Sequence, residues 1–259
     1  MLRLYCRYFS IQLKSAFEYK ISFLLTALGQ FFVSFAGFLS VFFMFQQFHA
    51  VDGFTYQQVL LCFSVVLSAF SIAELFAAGF KGFSHVVSNG EFDRIMLRPA
   101  GTLFQTFASR IEFSSVGRLL QAAIILAYTV HTSGIRWTLR EAFLLLFMIL
   151  CGTFLFMGLY IIYAALCFYT IEGLEFMNIF TDGGREFGRY PASIYGSSIL
   201  KFLTFVIPLA CFQYYPLLIL LGKSRRFLYA AAPVSCLVFF ALCCLFWRVG
   251  VNRYTSAGS

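Results

Sequence analysis

The sequence predicts an all-α, polytopic membrane protein with six transmembrane helices, an N-terminal interfacial helix and a re-entrant segment before the last span. Hydrophobic residues make up 61% of the chain and charged residues only 12%, a balance that excludes an ordinary soluble domain. Six long stretches carry no charged side chain apart from one glutamate. Because a spanning helix needs about 20 mostly apolar residues, each stretch is long enough, or nearly so, to cross a bilayer.

The connections between these stretches are short, and this limits what the chain can do. The charge-free stretches run from Lys20 to Asp52, Asp52 to Lys81, Arg118 to Arg136, Glu141 to Glu172, Lys201 to Lys223 and Arg226 to Arg248. With six spans in 259 residues there is no room for a folded nucleotide-binding, kinase or hydrolase domain. Any energy for transport must come from a gradient or from another polypeptide.

Residues 1–20 are predicted to form an amphipathic helix in the membrane interface. Leu2, Phe9 and Leu13 recur at helical spacing, whereas the basic residues fall elsewhere on the helical wheel. A basic helix with aromatic side chains directly before a span is typical of an interfacial segment, and a simple flanking anchor is the alternative. The first span follows over 21–46, and we expect it to be retained and not cleaved as a signal peptide.

The second predicted span, 57–79, contains Glu74, the only acidic residue within a predicted span apart from Glu141, with which the fourth predicted span begins. A carboxylate at mid-bilayer costs about 2.5–3.5 kcal/mol on insertion scales, so it should face protein or water. Lys81 follows seven residues later, which places Glu74 about 10 Å from the end of the span. We treat Glu74 as a candidate intramembrane polar site. We expect it to anchor its helix or to pair with another helix, in preference to relaying protons. We expect no basic partner for it inside another span.

The longest polar interruption follows this span and is predicted to be a cytoplasmic loop over 84–110. At its centre stands Gly90-Glu-Phe-Asp-Arg-Ile-Met-Leu-Arg-Pro99. Phe92, Ile95 and Met96 share one helical face, and the final proline ends the helix because the residue before a proline disfavours the helical conformation. A short amphipathic helix of this kind is typical of a contact to a soluble partner, and a solvated loop is the alternative.

The third and fourth spans are predicted over 115–131 and 141–169. Thr138 and Glu141 have the spacing of a capping box, which suits the start of the fourth span. Residues 171–198 are weakly amphipathic and contain several glycines, so we place them in the cytoplasm or in its interface.

The fifth span, 199–221, contains Pro208 and Pro216 in its apolar run. Proline removes a backbone donor and kinks a helix, and in lipid the freed carbonyl groups need another partner. We therefore expect the span to end or break near Pro208. A short re-entrant piece would then reach the outer surface near Lys223, before a last span over 228–247.

The distribution of basic residues predicts that both termini are cytoplasmic, because cytoplasmic loops of membrane proteins are enriched in Lys and Arg. With the N-terminus inside, fourteen basic residues fall inside and five outside. The inside residues are Arg3, Arg7, Lys14, Lys20, Lys81, Arg94, Arg98, Arg110, Arg118, Arg185, Arg189, Lys201, Arg248 and Arg253, and the outside residues are Arg136, Arg140, Lys223, Arg225 and Arg226. The net charge of +8 thus indicates topology and not binding to nucleic acid, although the cluster at Lys223 to Arg226 departs from the rule.

Patterns for catalysis or metal binding are missing from the sequence. His49, His85 and His131 have no Cys, Asp or Glu cluster at ligand spacing. Most of the eight cysteines lie in apolar stretches, so buried thiols are expected and not disulfides. Glu172 and Glu175, one helical turn apart at a predicted cytoplasmic end, are expected to be exposed. We predict no catalytic residue, no metal site and no cofactor bound by the chain itself.

Several short motifs, taken in order, resemble those of one family of transport proteins. They are the N-terminal interfacial helix, the Gly90–Pro99 segment, Tyr190-Pro191 with Ile194-Tyr195, Phe205-Val-Ile-Pro208-Leu-Ala210, Tyr215-Pro216 and the tail Arg253-Tyr-Thr-Ser-Ala-Gly-Ser259. Together they extend over nearly the whole chain. The chain resembles permease subunits of type-2 ABC exporters (the ABC-2 superfamily), in particular the short six-span bacterial branch.

The resemblance implies a permease that pairs with a second permease subunit, identical or a sister, and with a dimer of cytoplasmic ABC ATPase subunits that bind ATP and Mg²⁺. In that family the helix after the second span is the coupling helix, which docks in a cleft of the ATPase. The residues that match it here are Glu91, Phe92, Asp93, Arg94, Ile95, Met96, Leu97 and Arg98. Phe92, Ile95 and Met96 would supply apolar contact, and the polar rim would consist of Asp93, Arg94 and Arg98.

The family's re-entrant segment corresponds to the stretch after Pro208, which would form an outer gate with Tyr214, Tyr215 and Pro216. The resemblance implies a bacterial cytoplasmic (inner) membrane location and leaves the cargo open among drugs, peptides and lipid-like compounds. One alternative is a gradient-driven carrier or channel that acts without an ATPase and depends on Glu74. A membrane-embedded enzyme is a further alternative, which the lack of clustered His, Asp or Ser in the spans opposes.

Overall fold

Apolar stretches in a membrane fold as helices because each helix satisfies its own backbone hydrogen bonds. The computed structural model describes residues 2–48, 50–170 and 178–255. Within these ranges 82% of the residues are helical and none forms a strand, which confirms the predicted all-α fold. His49, Glu172, Glu175 and the last four residues of the tail lie outside the described ranges.

The described helices follow one another with short connections. They are α1 (Leu2–Glu18), α2 (Lys20–Gln47), α3 (Tyr56–Ala77), α4 (Phe83–Ser88), α5 (Glu91–Met96), α6 (Thr102–Ser109), α7 (Val116–Thr132), α8 (Leu139–Thr170), α9 (Asn178–Phe187), α10 (Ser197–Phe205), α11 (Leu209–Leu220), α12 (Phe227–Ala231) and α13 (Val234–Arg253). Among the described residues, three short 3₁₀ helices lie at Ala78–Phe80, Phe113–Ser115 and Ala192–Tyr195.

Among the described residues, five helical stretches are long and apolar enough to cross a membrane, or six if the bent pair α10 and α11 counts as one span. The five are Lys20–Gln47, Tyr56–Ser88, Phe113–Thr132, Leu139–Thr170 and Phe227–Arg253. The chain is therefore a multi-pass membrane protein, as predicted. The second stretch continues beyond the predicted end at 79, because the 3₁₀ turn Ala78–Phe80 joins α3 to α4.

α3 lies at the centre of the bundle. In its most apolar window 83% of the residues are buried, compared with 17% in the window of α2. α3 packs against α7 and α8, and α8 packs in turn against α13. The ring of Phe156 lies 5.2 Å from that of Phe70 and 6.1 Å from that of Phe212. A helix that is apolar on all sides is suited to such a central position.

The break predicted near Pro208 is present. α10 ends at Phe205 and α11 begins at Leu209, and their axes differ by 109°. Pro208 has no N–H with which to continue the hydrogen bonds of α10. The thiol of Cys236 donates to the carbonyl oxygen of Pro208 at 3.4 Å, which gives a carbonyl at the break a partner. Pro216, in contrast, is accommodated inside α11.

The bundle has two ends, and α4, α5 and α6 lie at one of them, which we call the α5 end. At the opposite end, the far end, the amino group of Lys223 donates to the carbonyl oxygen of Gly53 at 2.6 Å, so the loops 50–55 and 221–226 meet. α7 begins beside the end of α3, and its 17 residues extend over about 26 Å. The loop 133–138 therefore also lies at the far end.

The close packing of α7 on α2 depends on Gly117. A Cβ at this position would overlap the carbonyl oxygen of Ala27, a backbone atom that cannot move independently of α2. We expect Gly117→Ala to lower the free energy of unfolding by about 1–3 kcal/mol. In the matched variant Gly29→Ala, also within a helix, the new Cβ meets no atom within 4 Å, so a gain of roughly 0.5–1 kcal/mol is expected. Unfolding in detergent measures both, and shifts of the same sign would contradict this account.

Candidate functional site

The segment between α3 and α7 folds into the short helices α4, α5 and α6. α5 begins after Gly90, whose φ of +68° favours glycine. Glu91 and Asp93 lie in its first turn, where negative charge is stabilised by the helix dipole. The helix ends at Met96, shortly before the proline that was predicted to stop it. The short helix predicted at this place is therefore formed.

Phe92 attaches α5 to the rest of the bundle. Its ring is fully buried and lies 4.9 Å from Phe168, 5.0 Å from Tyr254 and 5.5 Å from Phe83, measured between ring centroids. The ring therefore lies away from the outer surface on which the sequence predicts apolar contact with a partner. The ring faces inward because α8 and the end of α13 offer an aromatic pocket, and it fixes α5 on those helices.

Other side chains of α5 and of the residues just after it face solvent. Leu97 is 86% exposed and Met96 is also exposed, and the charged side chains Glu91, Arg94 and Arg98 surround them. We call these five residues the α5 surface. Exposed apolar side chains next to charges, outside the spans, are typical of a protein–protein contact.

The other two predicted coupling residues, Asp93 and Ile95, are half-buried. Gln105 of α6 lies behind them and is itself buried. Its side-chain amide donates to the carbonyl oxygens of Ile95 at 2.9 Å and Ala100 at 2.6 Å. These bonds hold the end of α5 on α6, so that α5 and α6 are joined as one unit.

Glu74 is buried at the base of this unit. Its carboxylate pairs with Arg118 of α7 and with Lys81, and it accepts a hydrogen bond from the hydroxyl of Ser115 at 2.8 Å. Glu74 is 4% exposed and Arg118 only 2%. The expectation that no basic residue of another span pairs with Glu74 is therefore wrong, because Arg118 lies within α7 and points into the bundle. The helix-pairing role, in contrast, agrees with this geometry.

The two ends of the segment that carries α5 are connected through Glu74. α3 leads into the segment and α7 leaves it, and the Glu74 contacts cross between them. The backbone N–H of Glu112 also donates to the carbonyl oxygen of Leu75 at 3.1 Å. α3 and α7 are therefore joined where the chain enters and leaves this segment.

Aromatic rings and one further cation, Arg185, lie beside this ion-pair cluster. The guanidinium carbons of Arg118 and Arg185 lie 5.1 Å and 4.9 Å from the centroid of the Phe70 ring, within the range of cation–π attraction. The amino group of Lys81 lies 5.4 Å from the ring of Tyr160. Sequence reasoning missed Arg118 and Arg185. Arg118 stands directly before an apolar run, and this position could have indicated that a spanning helix would include Arg118 and bury its side chain.

Of the predicted gate residues, Tyr214 and Tyr215 contact aromatic residues at or near the far end. The hydroxyl of Tyr215 lies 3.1 Å from that of Thr204 in α10, and its ring centroid lies 4.9 Å from that of Tyr229. The ring of Tyr214 lies 6.4 Å from that of Phe54. α10, α11 and α12 are thereby packed together around the break at Pro208.

Within the described ranges, no group of three or more His, Cys, Asp or Glu side chains could hold a metal ion. All eight cysteines are free thiols, and Cys6 is exposed.

Comparison with known proteins identifies the family. A family model described as ABC-2 family transporter protein matches residues 31–258, which confirms the resemblance inferred from the motifs. No curated protein and no solved structure matches the chain. The match runs from the first candidate span to the tail, so it includes the α5 end, the far end and the helices between them. The chain therefore belongs to the ABC-2 transporter family, and it is the membrane-embedded permease component of an ABC transporter.

Proposed function

We propose that this permease belongs to an ATP-driven exporter of the bacterial cytoplasmic membrane and works as a dimer, with an identical or a sister permease. Separate cytoplasmic ATPase subunits bind the ATP and Mg²⁺. The observation that carries the proposal is the α5 surface, where exposed Leu97 and Met96 stand among charges. The distribution of basic residues that the sequence predicts, fourteen inside against five outside, supports a cytoplasmic position for this surface and for both termini.

In this proposal α5 is the coupling helix, with a division of roles that differs from the one expected from the sequence. Met96 and Leu97 supply the apolar contact to the ATPase, and Arg94 and Arg98 face an acidic rim. Phe92 holds the helix from behind. Closure of the ATPase subunits displaces α5, and the Glu74 cluster passes that displacement to α3 and α7.

The far end completes the proposed mechanism. The break at Pro208 and the aromatic contacts of Tyr214 and Tyr215, together with Pro216 in α11, form the outer gate. Movement of α3 reaches this gate because α3 extends from one end of the bundle to the other and packs against α11. Glu74 takes part as an ion-paired link, which supports a coupled permease over the gradient-driven carrier or channel considered from the sequence.

The test is assembly with the ATPase. The full complex is solubilised gently, and the ATPase that copurifies with the wild-type permease is identified by mass spectrometry. We expect Arg94→Glu/Arg98→Glu to reduce copurified ATPase at least tenfold, because like charges placed opposite one another at an interface cost several kcal/mol.

The matched control is Arg136→Glu/Arg140→Glu, which makes the same change of charge at exposed positions of the far end and should leave assembly intact. If the Arg94→Glu/Arg98→Glu variant copurified with as much ATPase as the wild type, α5 would not be the coupling helix. Nucleotide hydrolysis or unaided transport by the isolated permease in liposomes would contradict the proposed function as a whole.

A further inference from the structure

The far end carries an excess of positive charge that the topology does not explain. Its basic residues are Arg136, Arg140, Lys223, Arg225 and Arg226, whereas Asp52 and Glu141 are the acidic residues near the described loops. Loops on the non-cytoplasmic side normally contain few Lys and Arg. Three of the five basic residues fall within the single loop 221–226, so this loop requires a specific explanation.

Lys223 is occupied by contacts within the protein. Its amino group donates to Gly53 and lies 3.7 Å from the centroid of the Phe54 ring. Partial burial lowers the pKa of this amino group, and the carboxylate of Asp52 acts in the opposite direction. Lys223 therefore fixes the beginning of the loop against its neighbour and sets the direction of the residues that follow.

The side chains of Arg225 and Arg226 are not held against a neighbouring loop as that of Lys223 is. Both are exposed, and neither forms an ion pair with any described residue. The guanidinium of Arg226 lies 5.9 Å from the ring of Tyr229, which orients the group without neutralising its charge. Two adjacent guanidinium groups with free donors are well suited to the oxygens of a phosphate.

The residues after the arginines are apolar and equally exposed. Phe227 is 80% exposed and Leu228 76%, and no residue of α12 is buried. They lie at the start of the last candidate span, Phe227–Arg253, and a spanning helix passes from headgroups to acyl chains at its ends. A phosphate contact and an apolar contact on consecutive residues match the chemistry of a phospholipid and not that of a free anion.

We propose that the loop 221–228 is a binding site for an anionic phospholipid in the leaflet at the far end. Arg225 and Arg226 bind the lipid phosphate, and Phe227 and Leu228 contact its acyl chains. The proposal does not depend on the ATPase or on the cargo. Because the loop directly follows α11, it would make the position of the broken helix sensitive to the lipid composition of the membrane.

Hydrogen–deuterium exchange of the full-length permease in lipid nanodiscs tests the site locally. We expect residues 221–231 to exchange more slowly in phosphatidylglycerol than in phosphatidylcholine. Arg225→Gln/Arg226→Gln should abolish this difference, because binding becomes roughly thirtyfold weaker given what each basic side chain contributes near an anionic membrane surface. Arg136→Gln/Arg140→Gln removes the same charge from another far-end loop and should preserve the difference.

Two further arms separate the remaining explanations. Inorganic phosphate added to phosphatidylcholine nanodiscs should not slow the exchange, and Phe227→Ser/Leu228→Ser, which leaves the charge unchanged, should weaken the lipid effect. The proposal would be overturned if inorganic phosphate alone slowed the exchange, or if the two arginine variants lost the lipid difference equally. It would also be overturned if residues 221–231 exchanged equally slowly in both lipids. The last result would show that the loop does not distinguish an anionic phospholipid from a zwitterionic one.

Discussion

Glu74→Leu is expected to lower the free energy of unfolding of the permease by about 3–5 kcal/mol, the range observed when one partner of a buried ion pair is removed. The substitution leaves Arg118, which is 2% exposed, as an uncompensated charge inside the bundle. Lys81 contributes less because its side chain is 37% exposed and can turn towards water. Reversible unfolding in mixed micelles measures the difference.

The double variant Glu74→Leu/Arg118→Leu is the control for this prediction. Replacing both members of a buried ion pair by apolar residues is often neutral or stabilising, so most of the lost stability should return. A double variant as unstable as the single one would show that the cost arises from packing around Glu74 and not from the unpaired arginine. The ion-pair account would then be wrong.

Phe92→Ala is expected to cost about 3–5 kcal/mol of stability, because a fully buried ring is removed from an aromatic pocket. The matched change Leu97→Ala, on the exposed side of the same segment, should alter stability by less than about 0.5 kcal/mol. We expect Leu97→Ala to weaken copurification of the ATPase instead. Unfolding and copurification, measured on both variants, separate the two roles.

The opposite pattern would restore the assignment made from the sequence. If Phe92→Ala left stability unchanged and reduced copurification of the ATPase, the ring would contact the partner, and its inward packing would not represent the assembled state.

Hydropathy and the special backbone properties of glycine and proline account for the features that the sequence predicted. The candidate spans follow from the absence of charge over long apolar runs, which depends on composition alone. The break near Pro208 follows from a missing N–H. α5 is bounded by Gly90 and by the proline after Arg98, so its place could be predicted without knowledge of any neighbouring helix.

The features that sequence reasoning missed all depend on the arrangement of helices in space. A short helix with apolar residues on more than one side does not reveal which side is inward, and only the aromatic pocket around Phe92 decides this. The partners of Glu74 could not be predicted because Arg118 stands at the edge of an apolar run. Its pairing depends on how α7 is rotated against α3, which periodicity alone does not specify.

The ion pair between α3 and α7 also has a consequence for biogenesis. Glu74 leaves the ribosome well before Arg118 does, and until then Lys81 is its nearest basic neighbour in the chain. Released alone into lipid, α3 would carry a carboxylate whose insertion is costly. The insertion machinery is therefore expected to retain α3 until α7 has been synthesised, so that the two enter the bilayer as a pair.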